Sequence, residues 1–275
     1  MLRKEHQSMI DTVVREVEND SRFAGLAIGG SYIAGEMDEF SDLDFVLVAK
    51  NECYQEVMKE RYSVVNTFGK LLAAFSGEHV GEPRVLICLY DEPMLHVDCK
   101  FISLRDLPDR VEDPVILYEE GGCISEAFAR SEAVYPVTGL QWMEDRFWVW
   151  VHYLATKIGR NELFEVIDCL DFLRRTVLFP LKCREYGKLP RGARKIEAEM
   201  PQDVDELERT VAVHEVNSCV CAARASIALY RKLREQCAQP ELMRHTGAEE
   251  KAMAYFDEQA ARRQNDPLST AGAPV

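Results

Sequence analysis

No stretch of this chain approaches the about 20 consecutive apolar residues that a membrane-crossing helix needs. The opening Met1-Leu2-Arg3-Lys4-Glu5-His6 has no apolar signal core either. The expectation is a cytoplasmic protein, neither secreted nor membrane-spanning. Cysteine offers no framework: nine are present, an odd number without regular spacing. Several of them (Cys88, Cys169, Cys219) fall in apolar stretches, as reduced core thiols do. Cys219-Val220-Cys221 is the one close pair, and it lacks the second pair that a zinc site would require. Basic residues are in short supply, 33 against 47 acidic ones, for a formal net charge of −14. Such a surface does not favour nucleic acid, whose binding draws on cationic side chains and counterion release. It is compatible with a cationic substrate. What the chain does have is a globular composition, 47% hydrophobic and 29% charged over 275 residues, enough for one large domain or two ordinary ones.

The amino-terminal half reads as α/β. Ile10, Val13, Val14 and Val17 recur at helical spacing and predict an amphipathic helix ending near Asn19-Asp20. A strand over Phe23 to Ile28 leads to Gly29-Gly30-Ser31, and a second strand is expected from Asp42 to Ala49. Residues 52 to 75 fit a helix with Val57, Val64, Phe68, Leu71, Leu72 and Phe75 as its buried stripe. Arg84 to Tyr90 and Leu95 to Ile102 predict a hairpin turning at Asp91-Glu92-Pro93. Pro108, Pro114, Gly121, Gly122 and Pro136 punctuate residues 105 to 140, where a domain junction is expected. Beyond it, 142 to 158, 162 to 186, 204 to 236 and 247 to 262 are helically periodic, with Asn161 as an N-cap. The predicted fold is an α/β (α+β) domain with a mixed sheet over residues 1–135, followed by an α-helical bundle over 136–262 and a disordered tail over 263–275.

The chemistry concentrates between residues 29 and 48. On a strand, alternate side chains share a face, so Asp42 and Asp44 project together while Leu43, Phe45 and Leu47 point the other way. Two adjacent carboxylates repel unless a cation lies between them, and hard divalent ions such as Mg²⁺ take oxygen ligands. The Gly29-Gly30-Ser31 turn permits close backbone approach and adds a hydroxyl, which suits phosphate. On the hairpin strand, His96, Asp98 and Lys100 share one face and Val97, Cys99 and Phe101 the other. An unpaired charge at Asp98 would cost several kcal/mol, a problem that metal coordination would solve. Phosphate cradle, metal and third carboxylate are the parts that nucleotidyl transfer to a hydroxyl requires.

The Gly-Ser turn, Ser41-Asp42-Leu43-Asp44 and the strand-borne Asp98 together resemble the DNA polymerase β-like nucleotidyltransferase superfamily. Within it the chain looks most like the stand-alone bacterial antibiotic nucleotidyltransferases that adenylylate aminoglycosides or lincosamides. The motifs span about residues 22 to 102, and a carboxyl-terminal helical bundle is usual in that group. The resemblance implies Mg²⁺-dependent transfer of a nucleoside monophosphate, AMP from ATP, to a hydroxyl of a small molecule, with release of pyrophosphate. It implies that Gly30 and Ser31 hold phosphates and that Asp42 and Asp44 hold metal. Asp98 falls at the third carboxylate, which in such enzymes binds metal, acts as general base, or both. Lys157 would reach the triphosphate from the helical half, as lysines of related enzymes do, or else it is a lysine near a helix C-terminus. A protein side chain as acceptor, as for antitoxins of this superfamily, and a non-catalytic nucleotide-binding protein of the same fold remain alternatives.

Other features of the helical half have plainer readings. Glu144, Asp145, Glu162 and Glu165 form an acidic wall for a cationic acceptor or, preferably, a solvated helix face. His152 and His214 read as core or interface histidines. The aromatics from Trp142 to Tyr153 are expected to bury, either in a homodimer or against the amino-terminal half.

Overall fold

The computed structural model of the chain describes residues 3–265. It divides into two compact units, Met1–Pro136 and Val137–Val275.

The first unit is built on one sheet. Helix α1 (Lys4–Asn19) buries Met9, Ile10, Val13 and Val17 along one stripe. Strand β1 (Phe23–Ile28) is buried at every position, as its uninterrupted apolar sequence requires of an interior strand. Strand β2 (Leu43–Ala49) pairs antiparallel with β1, and helix α2 (Tyr54–Val65) follows. Strands β3 (Lys70–Gly77), β4 (Glu82–Asp91) and β5 (Leu95–Ser103) form antiparallel pairs in succession. Strand β6 (Val115–Glu119) returns antiparallel to β1 and is followed by helix α3 (Cys123–Ala129). The strand order is β3-β4-β5-β2-β1-β6, six strands. One pairing is parallel, β2 with β5, so the sheet is mixed. Leu43, Phe45, Leu47, Val97, Cys99 and Phe101 lie in one core cluster beneath it, each large side chain stabilising the fold by about 1.5–3 kcal/mol through burial.

One expectation fails here. Residues 70–77 are not the end of a helix but strand β3. Helix α2 stops at Val65, and Leu72 and Phe75, expected in its buried stripe, are 48% and 52% exposed on an edge strand. The apolar spacing of Phe68, Leu71, Leu72 and Phe75 follows the helical template, and pairing with β4 overrides it. The punctuated stretch 105 to 140, where a domain junction is expected, also carries β6 and α3.

The second unit is helical: α4 (Leu140–Arg160), α5 (Leu163–Leu173), α6 (Phe179–Glu185), the short α7 (Ile196–Glu199) and α8 (Val204–Glu208), then α9 (Val216–Gln236) and α10 (Thr246–Gln264). A π-helical turn, Arg174–Leu178, joins α5 to α6 without a break. Asn161 does not start a helix. It ends α4 at φ +61, and its N–H returns to the Ile158 carbonyl, a left-handed cap that asparagine tolerates. The periodic stretch 204 to 236 splits into α8 and α9, with Glu215 capping the latter through the amides of Asn217 and Ser218. Arg263 and Gln264, expected in a disordered tail, belong to α10, while residues 266–275 lie outside the described residues. No helix among the described residues is long and apolar enough to cross a membrane.

Candidate active site

The site begins where β1 ends. Gly29 N donates to the Asp44 carbonyl at 2.8 Å, tying the turn to β2. Gly30 takes φ +59, and a β-carbon there would lie 1.9 Å from Asp44 Oδ2. Only glycine lets the carboxylate lie so close to the backbone. Gly30, Ser31 and Tyr32 then close a single 3₁₀ turn. The Ser31 hydroxyl oxygen is buried and makes no hydrogen bond, a costly state for a polar atom that a phosphate oxygen would relieve.

Asp42 stands one residue ahead of β2 rather than within it. The turn before it is knitted by Asp38, whose carboxylate accepts from the Phe40 amide at 2.9 Å and the Ser41 hydroxyl at 3.0 Å. Along β2, Leu43, Phe45 and Leu47 are buried while Asp44 and Val46 are half-buried on the opposite face. The parallel register sets Asp44 directly opposite Asp98 of β5. Asp98 is not an unpaired mid-strand charge: its Oδ1 lies 2.9 Å from His96 Nε2. Burial is the largest influence on Asp98 and raises its pKa above the ordinary carboxylate value. The charge and hydrogen bond of His96 pull the other way, and the charge of Asp42 adds to the rise. The third member of that face, Lys100, pairs with Glu82 at 3.0 Å.

Asp42, Asp44 and Asp98 thus lie together beside the Gly30-Ser31 turn. As they stand, their oxygens do not form a ready cage, and among the described residues no three His, Cys, Asp or Glu side chains do. One oxygen of Asp98 faces His96, and one of Asp44 lies on Gly30. The donor set itself, all carboxylate, fits a hard divalent cation such as Mg²⁺. The unpaired Ser31 hydroxyl and the glycine cradle fit a phosphate.

One further residue reaches this site, and nothing in the sequence marks it. Glu112 Oε1 accepts from Gly30 N at 2.9 Å.

No family model matches the chain, and no curated protein matches it. Among solved structures it is similar to an aminoglycoside 6-adenyltransferase from Bacillus subtilis, at 18% identity and TM-score 0.42 over 94% of this chain and 99% of that one. It is also similar to a spectinomycin adenyltransferase from Enterococcus faecialis, solved with ATP and spectinomycin, at 10% identity and TM-score 0.27 over 95% and 99% of the two chains.

The candidates of the second unit have other partners. The Lys157 ammonium lies 2.6 Å from Glu162 and 3.8 Å from Glu165, over the Tyr153 ring. Its pKa is raised, chiefly by the hydrogen bond to Glu162. Glu144 is neither wall nor solvated face. It is 1% exposed, accepts from Tyr230, Trp148 and the His245 amide, and pairs with Arg234. Burial opposes its ionisation, yet the Tyr230 and His245 hydrogen bonds and the Arg234 charge hold its pKa below the usual carboxylate range. Asp145 engages His245 and Gln141. His152 and His214 are exposed, contrary to the core reading, and stack on or lean against Tyr255 and Phe164. Trp148 and Phe147 bury in the helical unit's own core, whereas Trp142 and Tyr153 stay 39% and 45% exposed.

Proposed function

We propose that the chain is a nucleotidyltransferase that moves AMP from ATP to a hydroxyl of a small acceptor and releases pyrophosphate. The observation that supports it most is the juxtaposition of Asp44 and Asp98 across the parallel strand pair, beside the Gly30-Ser31 turn. Gly30 N and Ser31 Oγ hold phosphate oxygens of the donor, and Asp42 and Asp44 hold the divalent cation, with Asp98 as the third carboxylate. Mg²⁺, when bound, neutralises phosphate charge and orients the triphosphate. Asp98 takes the proton of the acceptor hydroxyl as its oxygen attacks the α-phosphorus and the bond to pyrophosphate breaks. A carboxyl group whose pKa burial has raised is a better base than an ordinary aspartate. His96 fixes the orientation of Asp98 through the 2.9 Å contact. Resemblance in the motifs makes an aminoglycoside-like polyol the first acceptor class to try.

The test is labelled ATP with Mg²⁺ and a panel of hydroxyl-bearing acceptors, read by pyrophosphate and by the modified product. Metal-dependent turnover that disappears in Asp42→Asn and Asp44→Asn supports the reading. Full activity in both variants, or no binding of Mg-ATP by the wild type, sinks it.

A further inference from the structure

The Gly30 amide, assigned above to a donor phosphate, already has an anionic partner. Glu112 belongs to the segment between β5 and β6, and its position is built in from both sides. On one side Arg110, whose side chain is 10% exposed, donates to Asp113 at 2.6 Å and to the Ser131 hydroxyl and carbonyl at 2.5 and 2.8 Å. Its guanidinium also lies over the Phe128 ring at 4.4 Å, and its carbonyl accepts from Val134 N at 2.9 Å. On the other side β6 enters the sheet with Val115 opposite Ile28, the last residue before the Gly29-Gly30-Ser31 turn. The register therefore delivers Glu112 to the turn. Its Oε1 sits 2.9 Å from Gly30 N and 2.9 Å from where a β-carbon of Gly29 would stand.

A charge-assisted hydrogen bond from a backbone amide to a carboxylate uses the same donor, in the same geometry, as one to a phosphate oxygen. The two ligands exclude each other at Gly30 N, and their like charges repel nearby. We infer that Glu112 is a built-in competitor for the donor's phosphate, a side chain that must release the Gly30 amide before the triphosphate can dock. The inference rests on the phosphate role proposed for this turn. Because the backbone around Arg110 is clamped, release of the Gly30 amide falls to the Glu112 side chain. Apparent donor affinity is then the intrinsic affinity reduced by the fraction of molecules in which Glu112 holds the amide.

The test is calorimetric titration of wild type, Glu112→Gln and Glu112→Ala with Mg-ATP and with Mg-tripolyphosphate, which has no base or sugar. Thermal melting checks that the fold is kept, and the Gly30 amide resonance checks the contact in the protein alone. The expected result is a Kd at least threefold lower in the glutamine variant and at least fivefold lower in the alanine variant, for both ligands, with a shifted Gly30 resonance before ligand is added. Unchanged or weaker binding in folded variants overturns the competitor role while leaving the donor reading intact. Tighter ATP binding with unchanged tripolyphosphate binding also overturns it, since Glu112 would then act on the nucleoside. Tripolyphosphate binding that responds to the substitutions, without any ATP binding, supports the competitor and removes the nucleotide donor. No binding of either ligand by any of the proteins ends both.

Discussion

A β-carbon on Gly30 would lie 1.9 Å from the carboxylate oxygen of Asp44. Gly30→Ala therefore combines a clash with a left-handed backbone at φ +59. The backbone alone costs about 1–2 kcal/mol, and Asp44 must move as well. Gly35 supplies the control, since it has φ +65 with nothing within 4 Å of its notional β-carbon. Gly30→Ala is expected to lower the melting temperature more than Gly35→Ala and to abolish Mg-ATP binding, which Gly35→Ala retains. Equal effects in the two variants would remove the close approach from the account.

Asp98→Asn separates chemistry from stability. Turnover should fall at least about 100-fold if Asp98 takes the acceptor's proton. The melting temperature at neutral pH should hold or rise, because burial disfavours the Asp98 charge more than His96 favours it. A clear drop in melting temperature with unchanged turnover would make Asp98 a structural residue.

Much of this arrangement is readable from residue order, and the exceptions have physical causes. The strands carrying Asp44 and Asp98 announce themselves by alternation of Leu43, Phe45 and Leu47 and of Val97, Cys99 and Phe101, since one face of each is buried. That the two strands run parallel and in register is a property of the assembled sheet. Strand β3 is misread because an edge strand need not alternate cleanly. Strand β6 hides among Pro108, Pro114, Gly121 and Gly122, which signal turns but not the short strand between them. Glu112 leaves no trace, because its partner lies 82 residues away in sequence and the contact is made by strand pairing.

Glu82 gives a pH signature away from the site. The Arg84 hydrogen bond is the largest influence on it, and with Lys100 it lowers the Glu82 pKa from 4.5 to about 2. A depressed carboxylate stabilises the fold above its unfolded pKa, and that stabilisation is lost as pH falls through the folded value. Wild-type unfolding free energy should decline more steeply than that of Glu82→Gln between pH 4.5 and about 2. At neutral pH the difference should be no more than about 1 kcal/mol, since the group is partly solvent-screened. Parallel pH profiles for the two proteins would contradict the pairing.

In the helical unit, Glu144→Ala leaves Arg234, its side chain 7% exposed, without one of its three carboxylate partners, Glu144, Glu235 and Glu249. Removing one partner of a buried ion pair costs about 3–5 kcal/mol. Tyr230→Phe, which deletes one hydrogen bond to the same carboxylate, should cost about 1.5–3 kcal/mol. Urea denaturation of both variants measures the order, and a milder effect for the alanine variant would show that the network carries little of the stability.

The π-helical turn at Arg174–Leu178 sets a phase. Upstream, Leu163, Val166, Leu170 and Leu173 face the core, and downstream Leu181 and Lys182 do. Each residue advances an α-helix by about 100°, so removing one residue between 174 and 178 would swing everything after it by that angle. Leu181 would leave the core, and Lys182 would leave Asp203, now 2.7 Å away. Chain length across this turn is thus a constraint in its own right, and substitution of the exposed Arg175 should be far better tolerated than a one-residue deletion.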